Sequence, residues 1–271
     1  MKSEKNKTMA EKLTITIQNG AVEVVKFGRG AKAFVILPGL SYDGFFAQAE
    51  AIERAYEIFA EAFTVYLIDR NKTPHAGYTA REIADDTAEV FAKLHIENAH
   101  VFGASLGGMA AQELAIRRPD LVDRLVLGST LSRPNAVALA VLSRWEAFAK
   151  AGKIDELAAN INQTIYSPQT LERYAAVFSQ IKTVATSEKT ARFLAYLNAA
   201  KSFDVFSSLE KIKARTLVIA AAGDKVTTAA GARETAAALG CDYYEYQTFG
   251  HAVYDEASDY KERVKDHFLK P

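Results

Sequence analysis

Two hydrophobic periods alternate along the chain. At residues 12 to 18, KLTITIQ, and 21 to 27, AVEVVKF, apolar and polar side chains take turns on either side of Asn19-Gly20. A period of two flanking that dipeptide predicts a β-hairpin. Four later runs, AFVIL (33 to 37), FTVYLI (63 to 68), HVF (100 to 102) and RLVLG (124 to 128), are apolar nearly throughout and rich in β-branched and aromatic residues. Such runs fit strands covered on both faces, as in a parallel sheet. Between them, apolar residues recur every three or four positions in FFAQAEAIERAYEIFAEAF (45 to 63), AREIADDTAEVFAKL (80 to 94) and GMAAQELAIRR (108 to 118). That spacing predicts amphipathic helices. Strands alternating with helices predict a parallel sheet joined by crossover helices.

From about residue 133 to 210 the alternation stops and the pattern is helical. Asn135 to Lys150, Lys153 to Ile165, Pro168 to Val184 and Ser187 to Ser202 are the predicted helices, with Ser167 as a cap before a first-turn proline. Strand and helix resume with TLVIAA (216 to 221), TTAAGARETAAAL (227 to 239), YYEYQTF (243 to 249) and ASDYKERVKDHFL (257 to 269). The expected organisation is an α/β core of residues 1–132 and 211–271 with a helical insertion at 133–210. A length of 271 residues accommodates this.

Charge and cysteine content narrow the chemistry. Lys+Arg and Asp+Glu are each 33, so no single-sign field is available to gather nucleic acid or an anionic membrane. The only cysteine, Cys241, rules out an internal disulfide and a Cys-rich zinc site, and is expected as a half-buried residue at the start of a strand. The opening MKSEKNKTMAEK lacks the apolar stretch of a signal peptide, and no later run has the apolar length of a membrane span. The expectation is a soluble cytoplasmic protein with no nucleic-acid partner and no membrane span.

The candidate chemistry lies at Gly103-Ala104-Ser105-Leu106-Gly107. A strand ends directly before this G-x-S-x-G and a helix begins directly after it, the context of a nucleophile elbow, in which a tight turn lifts the serine oxygen clear of the sheet. A serine hydroxyl needs a base, and the base an orienting acid. Asp224 follows the strand of LVIAAAGDKVTT, and His251 follows the last strand in YYEYQTFGHAVYDEA. The order Ser105, Asp224, His251 suits this architecture. His75, His95, His100 and His267 have no partner motif; His75 alone sits in a loop, DRNKTPHAGYT, after a strand end facing the site.

With FVILPGL, VFGASLGGMAAQELAIRRPDLVDRLVLGST, ARTLVIAAAGDKVTT and FGHAV in place, the chain from about residue 30 onward resembles the α/β-hydrolase fold family. The resemblance implies an eight-stranded, mostly parallel sheet with flanking helices and a helical cap inserted after the sixth strand. It also implies an oxyanion hole made by the backbone N–H groups of Leu106 and Leu40, with no cofactor or metal. The chain has Pro38-Gly39 where the family often has His-Gly, and DRNKTPH where it often has Asp-x-x-Gly-x-Gly. A serine nucleophile argues against the dehalogenases and epoxide hydrolases of this fold, and Ala104 and Ala252 against its carbon-carbon bond hydrolases; GASLGGMAAQELA is similar to enol-lactonases and small esterases. The leading expectation is a serine hydrolase that cleaves carboxylic esters of small to medium, largely apolar substrates through an acyl-serine. Alternatives are a thioesterase, lactonase or acyltransferase with the same triad, or a low-turnover small-molecule receptor. Trp145, Phe148, Tyr166, Tyr174, Phe178, Phe193, Tyr196 and Phe203 are expected mainly to form the core of the cap, with the remainder lining an acyl pocket.

Overall fold

The computed structural model describes residues 10–180 and 183–270. Its strands are β1 (Glu11–Ile17), β2 (Gly20–Gly28), β3 (Lys32–Leu37), β4 (Phe63–Asn71), β5 (Ala99–Ala104), β6 (Val122–Gly128), β7 (Arg215–Ala221) and β8 (Asp242–Tyr246). They form one open sheet in the order β1-β2-β4-β3-β5-β6-β7-β8. The pairs β1/β2 and β2/β4 are antiparallel and all the others parallel. All six residues of β5 are buried, as its unbroken apolar pattern required.

The helices before the insertion are α1 (Ala49–Ala55), α2 (Ala80–Leu94) and α3 (Leu106–Arg117). Between β6 and β7 lie α4 (Ala136–Lys150), α5 (Ile154–Ile165), α6 (Pro168–Arg173), α7 (Ala175–Gln180) and α8 (Ser187–Lys201). The chain closes with α9 (Ala229–Leu239), α10 (Val253–Glu256) and α11 (Tyr260–Leu269). Buried side chains gather on both faces of the sheet. Phe91, Met109, Leu114 and Val218 belong to one cluster, which continues into Trp145, Phe193 and Tyr196 of α4 and α8. Phe34, Phe59, Phe63 and Phe268 belong to the other. Among the described residues no helix is long and apolar enough to cross a membrane.

The structure corrects several boundaries. The hairpin turn is Gln18-Asn19, one residue earlier than Asn19-Gly20, because Gly20 already pairs with Ile17. Asn71 crosses this turn, its Nδ2 donating to Asn19 O at 3.0 Å. The stretch 45 to 63 is not one helix. It is α1 flanked by single 3-10 turns at Phe46–Gln48 and Glu57–Phe59. Tertiary packing decides this: the Phe59 ring lies 4.5 Å from that of Phe34 in the core, a position outside the regular path of α1. The expected helix Pro168 to Val184 divides into α6 and α7, with residues 181–182 outside those described. The strand expected over 243 to 249 ends at Tyr246, which leaves Gln247–Phe249 to lead into Gly250 and His251. The helix expected over 257 to 269 starts at Tyr260.

Candidate active site

The elbow is built by close packing. Ser105 stands between β5 and α3 with φ 52° and ψ −119°, a left-handed conformation that costs a non-glycine residue about 1–3 kcal/mol. Four contacts hold it there. Ser105 N donates to Gly128 O at 2.9 Å, and Ser105 O accepts from Gly108 N, Met109 N and Thr130 Oγ1 at 2.9, 3.1 and 2.8 Å. Gly107 shows why the motif needs its last glycine: a Cβ there would lie 1.9 Å from Leu37 O, at the end of β3. The absence of that carbon lets α3 approach the loop that carries Pro38, Gly39 and Leu40.

Asp224 and His251 meet beside this elbow. His251 Nδ1 lies 3.0 Å from both Oδ1 and Oδ2 of Asp224, and both residues are buried. Asp224 also accepts from Val226 N at 2.7 Å, Thr227 N at 3.0 Å and Thr227 Oγ1 at 2.7 Å. Burial pushes the Asp224 carboxyl up, but the His251 charge and these hydrogen bonds outweigh it and hold the pKa at about 2. An ionised Asp224 accepts a hydrogen bond from the Nδ1–H of His251. Among the described residues no hydrogen bond joins Ser105 Oγ to His251.

The His251 loop is tied to the insertion. Glu256 accepts from Gly250 N at 2.9 Å and from Ser167 N at 2.8 Å, and Ala252 N donates to Ile165 O at 2.9 Å. The end of α5 and the start of α6 therefore fix the position of the histidine.

Two cavities adjoin the elbow. A small one of about 20 Å³ is bordered by Ser105, Leu106, Leu40, Leu142 and Trp145. A larger one of about 480 Å³ lies between the sheet edge and α5, with Gly39, Leu40, Ala104, Ile161, Tyr166 and Tyr254 in its wall. That volume is in the range of small-molecule sites. Leu40 borders both. Leu106 is the first residue of α3, where an N–H has no acceptor within the helix.

This arrangement agrees with a comparison to known families: the family model described as the alpha/beta hydrolase fold matches residues 32–258. The chain belongs to the α/β-hydrolase fold family. Among curated proteins, it is 26% identical over 239 residues to a Rhizobium rhizogenes protein provisionally named carbamate hydrolase RutD, covering 82% of this chain and 87% of that one. It is 22% identical over 225 residues to 3-oxoadipate enol-lactonase 2 of Acinetobacter baylyi, covering 80% and 81%. Among solved structures, the enol-lactonase of Burkholderia xenovorans superposes with a TM-score of 0.83 at 20% identity, over 95% of this chain and 100% of that one.

Within this α/β-hydrolase fold, the other histidines stand apart from the elbow. His75 is exposed and bonds Glu82 Oε1 at 2.7 Å; it lines neither cavity. His95 caps α2, and His100 and His267 pack against Phe268. Of the aromatic residues in the insertion, Trp145, Phe193, Tyr196 and Phe203 are buried, while Tyr166 lines the large cavity. Cys241 is half-buried directly before β8.

Sequence reasoning missed three residues near the site. Arg70, at the end of β4, is buried, and its Nη1 donates to Pro38 O at 2.7 Å and Gly39 O at 2.9 Å. Its guanidinium lies 4.8 Å from the Tyr196 ring centre, and its Nη2 lies 3.3 Å from Asp69 Oδ1. Tyr254 follows His251 by three residues, and its Oη faces Gly39: a Cβ on that glycine would lie 3.7 Å from Tyr254 Oη and 3.4 Å from Ser105 Cβ. Thr227 buttresses Asp224. The available signal for Arg70 was a charged pair, Asp69-Arg70, closing a mostly apolar strand, FTVYLIDR.

Proposed function

We propose that this chain is a serine hydrolase that cleaves carboxylic esters through an acyl-serine intermediate. The carrying observation is the buried Asp224–His251 pair together with a serine held at positive φ on the wall of a small cavity. In this reading His251 Nε2 takes the Ser105 proton as Oγ attacks the acyl carbon. The N–H groups of Leu106 and Leu40 bind the oxyanion, and Asp224 stabilises the imidazolium that forms. The His251 proton then passes to the leaving alcohol, and an activated water releases the acid. Residues 133–210 act as the lid, with α5 as its wall over the large cavity. The substrate is small to medium in size, in keeping with about 480 Å³ and a mostly apolar lining.

A lactone is the second reading, supported by the enol-lactonase names among the relatives. A ring ester needs the same attack and keeps its leaving alcohol tethered. The test is a fluorophosphonate probe followed by intact mass and peptide mapping, alongside a panel of linear esters, thioesters and lactones. One adduct on Ser105 with turnover of linear esters is the expected result. An unlabelled Ser105 in protein that turns over none of these substrates would overturn the reading.

Arg70 acts in this scheme as a positioning residue, since its two bonds to Pro38 O and Gly39 O fix the loop that presents Leu40 N–H. Arg70→Lys keeps the charge but loses the planar fork. It is expected to lower kcat about tenfold with little change in KM, below the roughly 10²- to 10³-fold cost of deleting an oxyanion donor outright. Steady-state kinetics on one ester checks this, because a merely structural role would lower thermal stability without separating kcat from KM.

A further inference from the structure

The large cavity reaches the elbow at Gly39, Leu40 and Ala104. Gly39 measures how near it comes: a Cβ built there would lie 3.4 Å from Ser105 Cβ, 3.6 Å from Ala104 O and 3.7 Å from Tyr254 Oη. The serine side chain and the phenol oxygen therefore flank one open position. A substrate that extends from Ser105 into the large cavity along this wall passes Tyr254 Oη within a few bonds of its scissile carbonyl.

Tyr254 is anchored by its ring and its backbone. The ring meets those of Phe102 and Tyr260 edge to face, each at 6.4 Å between centres, and the backbone carbonyl accepts from Lys261 Nζ at 2.9 Å. The hydroxyl makes no hydrogen bond among the described residues. Unlike the sealed Tyr260 Oη, it keeps accessible surface, on a side chain that lines the cavity. Tyr56 and Tyr166 line the same cavity, but of the three phenol oxygens only that of Tyr254 is among the three atoms nearest the open position at Gly39.

Building on the reading of Ser105 as nucleophile, we propose that Tyr254 determines specificity: its hydroxyl donates to a second carbonyl oxygen of the substrate, a ketone a few bonds from the scissile carbonyl in the part that fills the large cavity. A hydrocarbon in this corner displaces water from the hydroxyl and leaves it unpaired, an unfavourable exchange. A carbonyl oxygen in the same place restores the bond. Ile36, Leu67 and Phe102 in the cavity wall are apolar, so the rest of the group is hydrocarbon. The substrate class is thus an oxo-substituted, otherwise apolar ester.

The test uses matched esters of one leaving group whose acyl chain carries a ketone one, two or three carbons beyond the scissile carbonyl, each beside its saturated counterpart. A second series carries the same groups in the alcohol. Wild type and Tyr254→Phe are compared by the ratio of kcat/KM for the oxo and the saturated ester, because the change in that ratio cancels the intrinsic reactivity that a ketone confers. In one of the two series the ratio is expected to fall about tenfold in Tyr254→Phe, the scale of one lost hydrogen bond. The deleted oxygen has no hydrogen-bond partner among the described residues, so thermal unfolding of the variant should match the wild type. Unchanged ratios in both series, with Ser105 labelled by the fluorophosphonate, would overturn this inference and leave the hydrolase reading standing. An equal loss for oxo and saturated esters counts as such a result. If no ester is turned over, ligand-observed NMR with acetophenone and its isostere α-methylstyrene decides the matter. Tighter binding of the ketone that Tyr254→Phe equalises supports the site. Absence of ketone binding, no preference for the ketone, or a preference that Tyr254→Phe keeps, overturns it.

Discussion

Ser105→Ala is expected to lower kcat for ester hydrolysis by about 10⁶-fold, the scale reported for removing the serine of such a triad. The change deletes a single oxygen. The hydrogen bonds that fix the elbow all use the backbone of residue 105, with Gly128, Gly108, Met109 and Thr130 as partners, so they survive. Alanine meets the same cost at φ 52° as serine does. Thermal unfolding should therefore match the wild type while turnover and fluorophosphonate labelling disappear. A variant that folds and keeps wild-type turnover would place the nucleophile elsewhere.

Asp224→Asn is expected to lower kcat by about 10⁴-fold, as in the comparable substitution of a serine protease triad. The reason lies in the direction of the hydrogen bonds. Val226 N and Thr227 N both donate to Oδ1 of Asp224, so an asparagine keeps its carbonyl oxygen there and turns its amide nitrogen toward His251. His251 Nδ1 must then accept, which moves the proton to Nε2 and removes the lone pair that would take the Ser105 proton. Kinetics should show the loss in kcat with substrate binding largely retained. Stability supplies an independent readout. The Asp224 carboxyl is held at about 2 against an ordinary 3.8, so its contribution to wild-type stability is fully present above about pH 4 and is lost as pH falls through about 2. Acid titration of thermal stability should show that loss in the wild type and not in Asp224→Asn. A variant with unaltered kcat would remove Asp224 from the mechanism.

The two parts of the candidate site differ in how far local sequence exposes them. The elbow is legible because it is local: a strand, a tight turn and a helix start leave their marks within ten residues, VFGASLGGMA. Asp224 and His251 are legible because each follows a strand end, and a parallel sheet gathers its C-terminal strand ends along one edge. Arg70 and Tyr254 were not legible. A buried arginine that bonds Pro38 O and Gly39 O, and a phenol facing Gly39, act across 30 and more residues of sequence with no periodic trace.

Sequence by itself determined the alternation of strands and helices and the helical segment between β6 and β7, and marked Ser105, Asp224 and His251 as candidates, because periodicity and turn chemistry are written in neighbouring residues. Tertiary structure alone decided the rest. It broke the 45–63 stretch into α1 and two turns, since Phe59 gains more from the Phe34 core than from continuing a helix. It set Ser105 on a cavity of about 20 Å³ and shaped the neighbouring one of about 480 Å³, which shares Leu40 with it, because cavity shape arises only where distant segments meet.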